Sequence, residues 1–151
     1  MHAEIAEMAI GDYDEVVSLW NRVEGIGLDD ADSRENTERY LQRNPGLSFV
    51  ARREGKIVGA VLCGHEGRRG YLHHLAVDNN CRRQGIGKAL VNKCLAGLLS
   101  MGIKKCNILV FEDNHEGHTF WEADGWIELP DIKFMQKWTD GRDKESENCS
   151  G

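Results

Sequence analysis

The sequence predicts a single domain of mixed α/β (α+β) class, on three observations. Seven strand-like patterns and four helix-like patterns alternate along the chain. The apolar runs are short and bounded by Gly, Pro, Asn or Asp. One long amphipathic pattern, Ile86, Leu90, Cys94 and Leu98, has helical spacing. With 151 residues, 40% hydrophobic and 29% charged, the chain has the size and make-up of one globular domain. The domain is placed at residues 1–138, and the polar stretch 139–151 is expected to be a disordered tail.

The elements follow in order. Glu4–Ala9 reads as a strand. Asp12 with Glu15 three residues on is a capping-box pattern for a helix whose buried stripe is Val16, Leu19, Trp20 and Val23. A Gly- and Asp-rich loop, Gly25–Asp32, precedes a second helix over Arg34–Arg43, for which Asp32, three before Glu35, is the expected cap. Pro45-Gly46 marks a turn. Strands Ser48–Arg53 and Lys56–Gly64 meet at the tight turn Glu54-Gly55. The loop His65–Gly70 leads to a third hairpin strand, Tyr71–Val77. The loop Asp78–Gln84 then opens the longest helix, in which Val91, Leu95 and Leu99 flank the main stripe and Gly102 is the stop. A strand over Lys104–Phe111, a helix over Asn114–Ala123, and strands near Trp126–Leu129 and Ile132–Trp138 complete the reading. Trp20, Trp126 and Trp138 read as core or edge aromatics.

Composition excludes several classes. The longest apolar stretch, around Ile57–Cys63, is too short to span a bilayer, so no membrane role is expected. The first ten residues carry Glu4 and Glu7 and lack a signal-peptide pattern. A net charge of −6 argues against nucleic acid as a partner. Five cysteines without paired CxxC spacing fit reduced thiols in a cytoplasmic protein. Cys63, His65 and His73 or His74 come from neighbouring strands, but the spacing is not that of a zinc site and no metal is expected.

The chemistry concentrates in Leu75-Ala76-Val77, the loop from Asp78 to Cys81, and Arg82-Arg83-Gln84-Gly85-Ile86-Gly87-Lys88. A strand delivers the chain to a glycine loop where a helix begins. The unbonded N–H groups and positive dipole end of that helix then face one point, to which Arg82 and Arg83 add charge: a pyrophosphate site. A dinucleotide fingerprint is excluded because Leu90 stands where its third glycine belongs. A P-loop is excluded because one residue separates Gly85 from Gly87 and Ala89 follows Lys88.

Arg82-x-x-Gly85-x-Gly87 in this setting resembles the coenzyme A signature of the GNAT N-acetyltransferase superfamily. Asn114, Gly117, Phe120-Trp121 and Gly125-Trp126 resemble its downstream motif, usually Asn…Ala…(Leu/Phe)-Tyr…Gly-Phe. The likeness covers the chain to about Trp138 and looks closest to small stand-alone bacterial members. It implies a central mixed, mostly antiparallel sheet flanked by about four helices. Acetyl-CoA would be the co-substrate, contacted by Leu75, Ala76, Val77, Arg82, Arg83, Gln84, Gly85, Ile86, Gly87, Lys88, Asn114 and Trp121. It implies direct acetyl or short-acyl transfer to a primary amine of a small-molecule or peptide substrate, and leaves room for a homodimer. In such folds the Leu75 N–H also polarises the thioester carbonyl.

The reaction needs a neutral amine, and one with a pKa near about 10 is almost wholly protonated at pH 7. His73 is the first candidate base, since strand alternation puts Tyr71, His73, Leu75 and Val77 on one side and His74 on the other. Glu24, Asp29, Asp30 and Glu66 are further candidates. The family's thiol-protonating tyrosine is replaced by Trp121, whose indole cannot act as an acid. His118, one turn earlier on the same helix face, is the candidate substitute. The rival readings are a non-catalytic acyl-CoA sensor, suggested by the missing tyrosine, and an acetyltransferase acting on protein N-termini or lysines.

Overall fold

The computed structural model describes residues 2–142; residues 143–151, most of the expected tail, lie outside it. Five strands form one sheet in the order β1 (Glu4–Glu7), β2 (Phe49–Arg53), β3 (Lys56–His65), β4 (Gly70–Val77) and β5 (Cys106–Ile108). The first four run antiparallel, and β5 lies parallel to β4. Four α-helices flank the sheet: α1 (Tyr13–Arg22), α2 (Arg34–Arg43), α3 (Ile86–Ser100) and α4 (His115–Ala123). The mixed, mostly antiparallel sheet with four helices is therefore as the sequence implied.

The two faces of the sheet carry separate cores. On one, α3 buries Ile86, Leu90, Val91, Cys94 and Leu98 against Ala51, Val61, Cys63 and Leu72. On the other, α1 buries Val16, Leu19 and Trp20 against Val50, Ala60, Leu62 and Ala76. β3 is covered on both faces, which is why its sequence is continuously apolar rather than alternating. Leu99, expected beside the α3 stripe, is exposed instead.

Four local expectations are corrected. Asp12 does not cap α1. Its carboxylate accepts the Ala9 N–H at 2.9 Å, closing a 3-10 turn over Ile10–Asp12 that runs into the helix, and it also pairs with Arg52. Glu15 accepts the Ile57 N–H at 2.7 Å, tying α1 to the start of β3. Asp32 does not cap α2 either; Ser33 does, through the Asn36 N–H. The strands near Trp126–Leu129 and Ile132–Trp138 do not form among the described residues, and β5 covers only three of the eight residues expected. Past Ile108 the chain leaves β4, and β5, the last strand of the sheet, offers an outer edge of only three residues to later segments.

The fourth correction decides the site. From Ala76 back to His73, β4 advances three residues while β3 advances two, from Ala60 to Leu62. This β-bulge at His74–Leu75 resets the alternation. His74 takes a left-handed backbone, with φ +55°. Three contacts hold it there: the Trp20 indole N–H donates to its carbonyl at 3.0 Å, Trp20 packs edge-on against its ring, and the ring N–H donates to Asp32 at 2.8 Å. As a result Leu75 and Val77 pack toward α3, whereas His73 and His74 both face the α1 and α2 side, beside Tyr40 and Trp20 respectively. His74 does not point opposite to His73.

Candidate active site

β4 and β5 pair only at Gly70–Cys106, Tyr71–Asn107 and Leu72–Ile108. Beyond Leu72 the β4 edge has no strand beside it, and its backbone groups face open space. The gap opens into a cleft of about 950 Å³, lined by His73, His74 and Leu75 of β4, Leu109 and Phe111 after β5, and Asn114 and Trp121. The loop Gly25–Asp32 and one face of α2 form the other wall.

His73 lies over β4 between two phenols. Its ring stacks on Tyr71 at 6.3 Å between centroids and meets Tyr40 edge-on at 6.3 Å. Burial is the main cause that pulls its pKa below the usual histidine value. The neighbouring His74 adds to the shift and Asp32 opposes it. A neutral imidazole at neutral pH is thus available in the cleft to accept a proton. Its neighbour His74, whose bond partner Asp32 also lines the cleft, was not expected there; nothing in the sequence announces a bulge at a non-glycine residue.

The loop before α3 has the backbone build expected of an anion-binding turn. A short 3-10 turn, Asn79–Cys81, leads to Arg82, then Arg83 and Gly85 adopt left-handed conformations, with φ +62° and +80°. Gly85 caps α3 through its backbone, its carbonyl accepting the Ala89 N–H at 3.0 Å. Among the described residues, no hydrogen bond takes up the N–H groups of Ile86, Gly87 or Lys88. Gly87 is a close approach: a Cβ there would sit 3.3 Å from the Phe120 ring of α4. Arg82 links the two walls of this end, its Nε donating to the Val77 carbonyl at 3.2 Å and its guanidinium pairing with Glu116. Gln84 accepts from Arg53. Arg83 and Lys88 are exposed.

Asn114 caps α4, its Oδ1 accepting the Gly117 N–H at 3.0 Å, and its amide lies against Gly25, where a Cβ would be 2.6 Å away. The tip of α4 and the Gly25–Asp32 loop are thereby locked together at the cleft. Trp121 lines the cleft and packs against Phe120 and Trp126. His118 is not brought into it: its ring is held on the Phe111 carbonyl at 3.0 Å. Of the other candidate bases, Asp29 lines the cleft, while Glu24, Asp30 and Glu66 do not.

Among the described residues no three His, Cys, Asp or Glu side chains are placed to hold a metal ion. Cys63 faces α3 while His73 and His74 face α1 and α2, so the sheet itself separates them. No helix of the described residues is long and apolar enough to cross a membrane.

Comparison with known proteins places this architecture. Residues 13–126 match the acetyltransferase (GNAT) family. An acetyltransferase of Sodalis glossinidius is 33% identical over 111 residues, 74% of this chain and 78% of the relative. One of Yersinia enterocolitica is 35% identical over the same shares. Among solved structures, AAC(6')-Iy in complex with the bisubstrate analogue CoA-S-monomethyl-acetylneamine superposes with a TM-score of 0.73. It is 20% identical, over 91% of this chain and 99% of that one. The PaiA N-acetyltransferase of Thermoplasma acidophilum in complex with coenzyme A also gives 0.73, at 19% identity over 83% and 89%. By its sequence match and its fold, the chain belongs to the GNAT acetyltransferase family.

Proposed function

We propose that the protein transfers an acetyl or short acyl group from acetyl-CoA to a primary amine, by direct attack with both substrates bound. The observation that carries this reading is the conjunction of the free amides at Ile86, Gly87 and Lys88 with the gap between β4 and β5. The first suits a diphosphate at a helix N-terminus; the second suits an extended arm lying along a strand edge. Both ends of that path are built by residues of this chain, and the neighbours of known structure that hold coenzyme A or its bisubstrate analogue share the fold.

In this proposal Arg83, Gly85, Ile86, Gly87 and Lys88 hold the diphosphate. Arg82 turns toward it from Glu116, and Gln84 borders the loop. Leu75, Ala76 and Val77 present backbone groups to the arm, and the Leu75 N–H faces the thioester oxygen as charge develops there. Asn114 and Trp121 shape the inner end. His73 accepts the proton of the attacking amine, directly or through water. His74, held by Asp32, positions the bulge that aims Leu75. The thiolate leaves without an acid, because a thiol of pKa about 8.5 is a tolerable leaving group. His118→Ala is accordingly expected to keep the wild-type rate and pH profile, checked by thiol release from acetyl-CoA.

The test of the whole reading is thiol release from acetyl-CoA across a panel of amines, with mass spectrometry of the products. Acetylated amines support it. Binding of acetyl-CoA with no product from any metabolite, polyamine or peptide amine would favour the acyl-CoA sensor instead, and acetylated peptides alone would favour a protein acetyltransferase.

A further inference from the structure

Helix α2 packs Tyr40 and Leu41 against the core on the α1 side and turns a polar face to the cleft. Only Thr37 among its ten residues is buried. Asn36, Arg39, Tyr40 and Arg43 follow i, i+3, i+4, i+7 spacing, which aligns them on one face, and all four line the cleft. Arg39 is oriented: its Nη2 donates to the Asn36 side-chain oxygen at 2.6 Å, and the Asn36 amide donates to the Asp30 carbonyl at 2.8 Å. Six of the nine other arginines have a carboxylate within 4.0 Å. Among the described residues, neither Arg39 nor Arg43 has one, although the chain is acidic overall. The adjoining loop adds Asp29 and Asp32 to the cleft, and the Asp32 carboxylate is already engaged by His74.

Two guanidiniums rooted about 6 Å apart along the helix therefore stand on this wall of the cleft. Guanidinium forks match the oxygens of a carboxylate or phosphate, and a polycation would meet them as like charge. We infer that the acceptor is an amine that also carries an oxyanion, a carboxylate or a phosphate, which Arg39 and Arg43 bind while the amine faces His73. This rests on the acetyl-transfer reading and narrows its substrate class.

The experiment compares matched amines: free amino acids with apolar, acidic or basic side chains beside their amides, and glucosamine 6-phosphate beside glucosamine. In the amino-acid pairs the amide has the less basic amine, so reactivity alone favours the uncharged member. The expected result is a preference for the anion-bearing member of at least about tenfold in kcat/KM, carried by KM. Carboxylate or phosphate pairs reveal which oxyanion is used. In the Arg39→Gln, Arg43→Gln double variant that preference collapses to within about threefold. Equal use of both members, a preference for polyamines, or a preference that survives in the double variant overturns the inference while leaving acetyl transfer intact.

If acetyl-CoA binds and no amine is acetylated, the acetyl-transfer reading fails by itself. Calorimetry with the N-acetylated acids and N-acetylglucosamine 6-phosphate, against their uncharged counterparts, then decides the anion site. Heat from the anionic members alone, lost in the double variant, supports it; equal heat or none overturns it.

Discussion

The proposed role of His73 as base depends on where it is buried. Removing an imidazolium from water lowers its pKa, so the ring is neutral over the range where an ordinary histidine begins to protonate. The sign is fixed: the neutral form is the base, so the His73 contribution to rate is full above the folded pKa and falls as pH drops through it, on top of the amine's own ionisation. The acid limb of kcat/KM is expected below about 6.5, and His73→Gln should remove that limb and lower kcat/KM by about 10²–10⁴-fold. Initial rates against pH for both enzymes, corrected for the fraction of neutral amine, check this; a His73→Gln enzyme that keeps the same low-pH limb would rule His73 out. Linkage runs the same way. The unfolded chain binds a proton at this position before the folded one does, so the His73 contribution to stability is present above the unfolded pKa and is lost as pH falls through the folded value. The thiols are different in kind. Burial pushes Cys106 up to about 12, and a hydrogen bond with Cys63 together with burial raises Cys94, which leaves them as packing groups rather than nucleophiles.

At the level of elements, the cleft depends on how α2 rests on the hairpin of β3 and β4. Gly64 is the seat. A Cβ there would lie 2.6 Å from both the Tyr40 hydroxyl and the Asn44 amide, and Asn44 also accepts the His65 N–H at 3.1 Å. Gly64→Ala is expected to destabilise by about 1–3 kcal/mol through overpacking and to loosen Tyr40 from His73. A urea titration gives the first effect, and a raised KM for the amine gives the second. The helix itself was legible in the sequence, with Arg34–Arg43 as its limits, but its orientation was not. It packs Tyr40 and Leu41 against the core on the α1 side and turns Asn36, Arg39 and Arg43 to the cleft. The α3 helix is the opposite case: its stripe, its start at the glycines and its stop at Gly102 follow directly from residue spacing.

For the molecule as a whole, the two ends of the co-substrate path lie on different elements, so a ligand that spans them ties α3, β4 and α4 together. At a concentration of about 100 Kd, acetyl-CoA should add about 2.7 kcal/mol to the stability of the folded state. For a chain of this size that is a rise in Tm of roughly 5–10 °C, read by a thermal melt with and without ligand. An unchanged melt at saturation would remove the basis for acetyl transfer. Gly85→Val should abolish most of that rise, because valine does not tolerate φ +80° and the amides would turn away.

The sequence by itself determined the sheet-and-helix class, the strand edges of the central hairpin, the long helix and the glycine turn at its start. Each of these is written in local spacing: alternation or continuous burial for strands, a three-and-four repeat for helices, glycine where φ must be positive. Only the tertiary structure decided which way β4 faces, because one extra residue at His74, held by Trp20 and Asp32 from distant parts of the chain, reverses the alternation. It also decided that the apolar residues after Trp126 form no strand among the described residues. A β pattern becomes a strand only when another edge is there to take up its backbone groups, and β5 turns away after three residues.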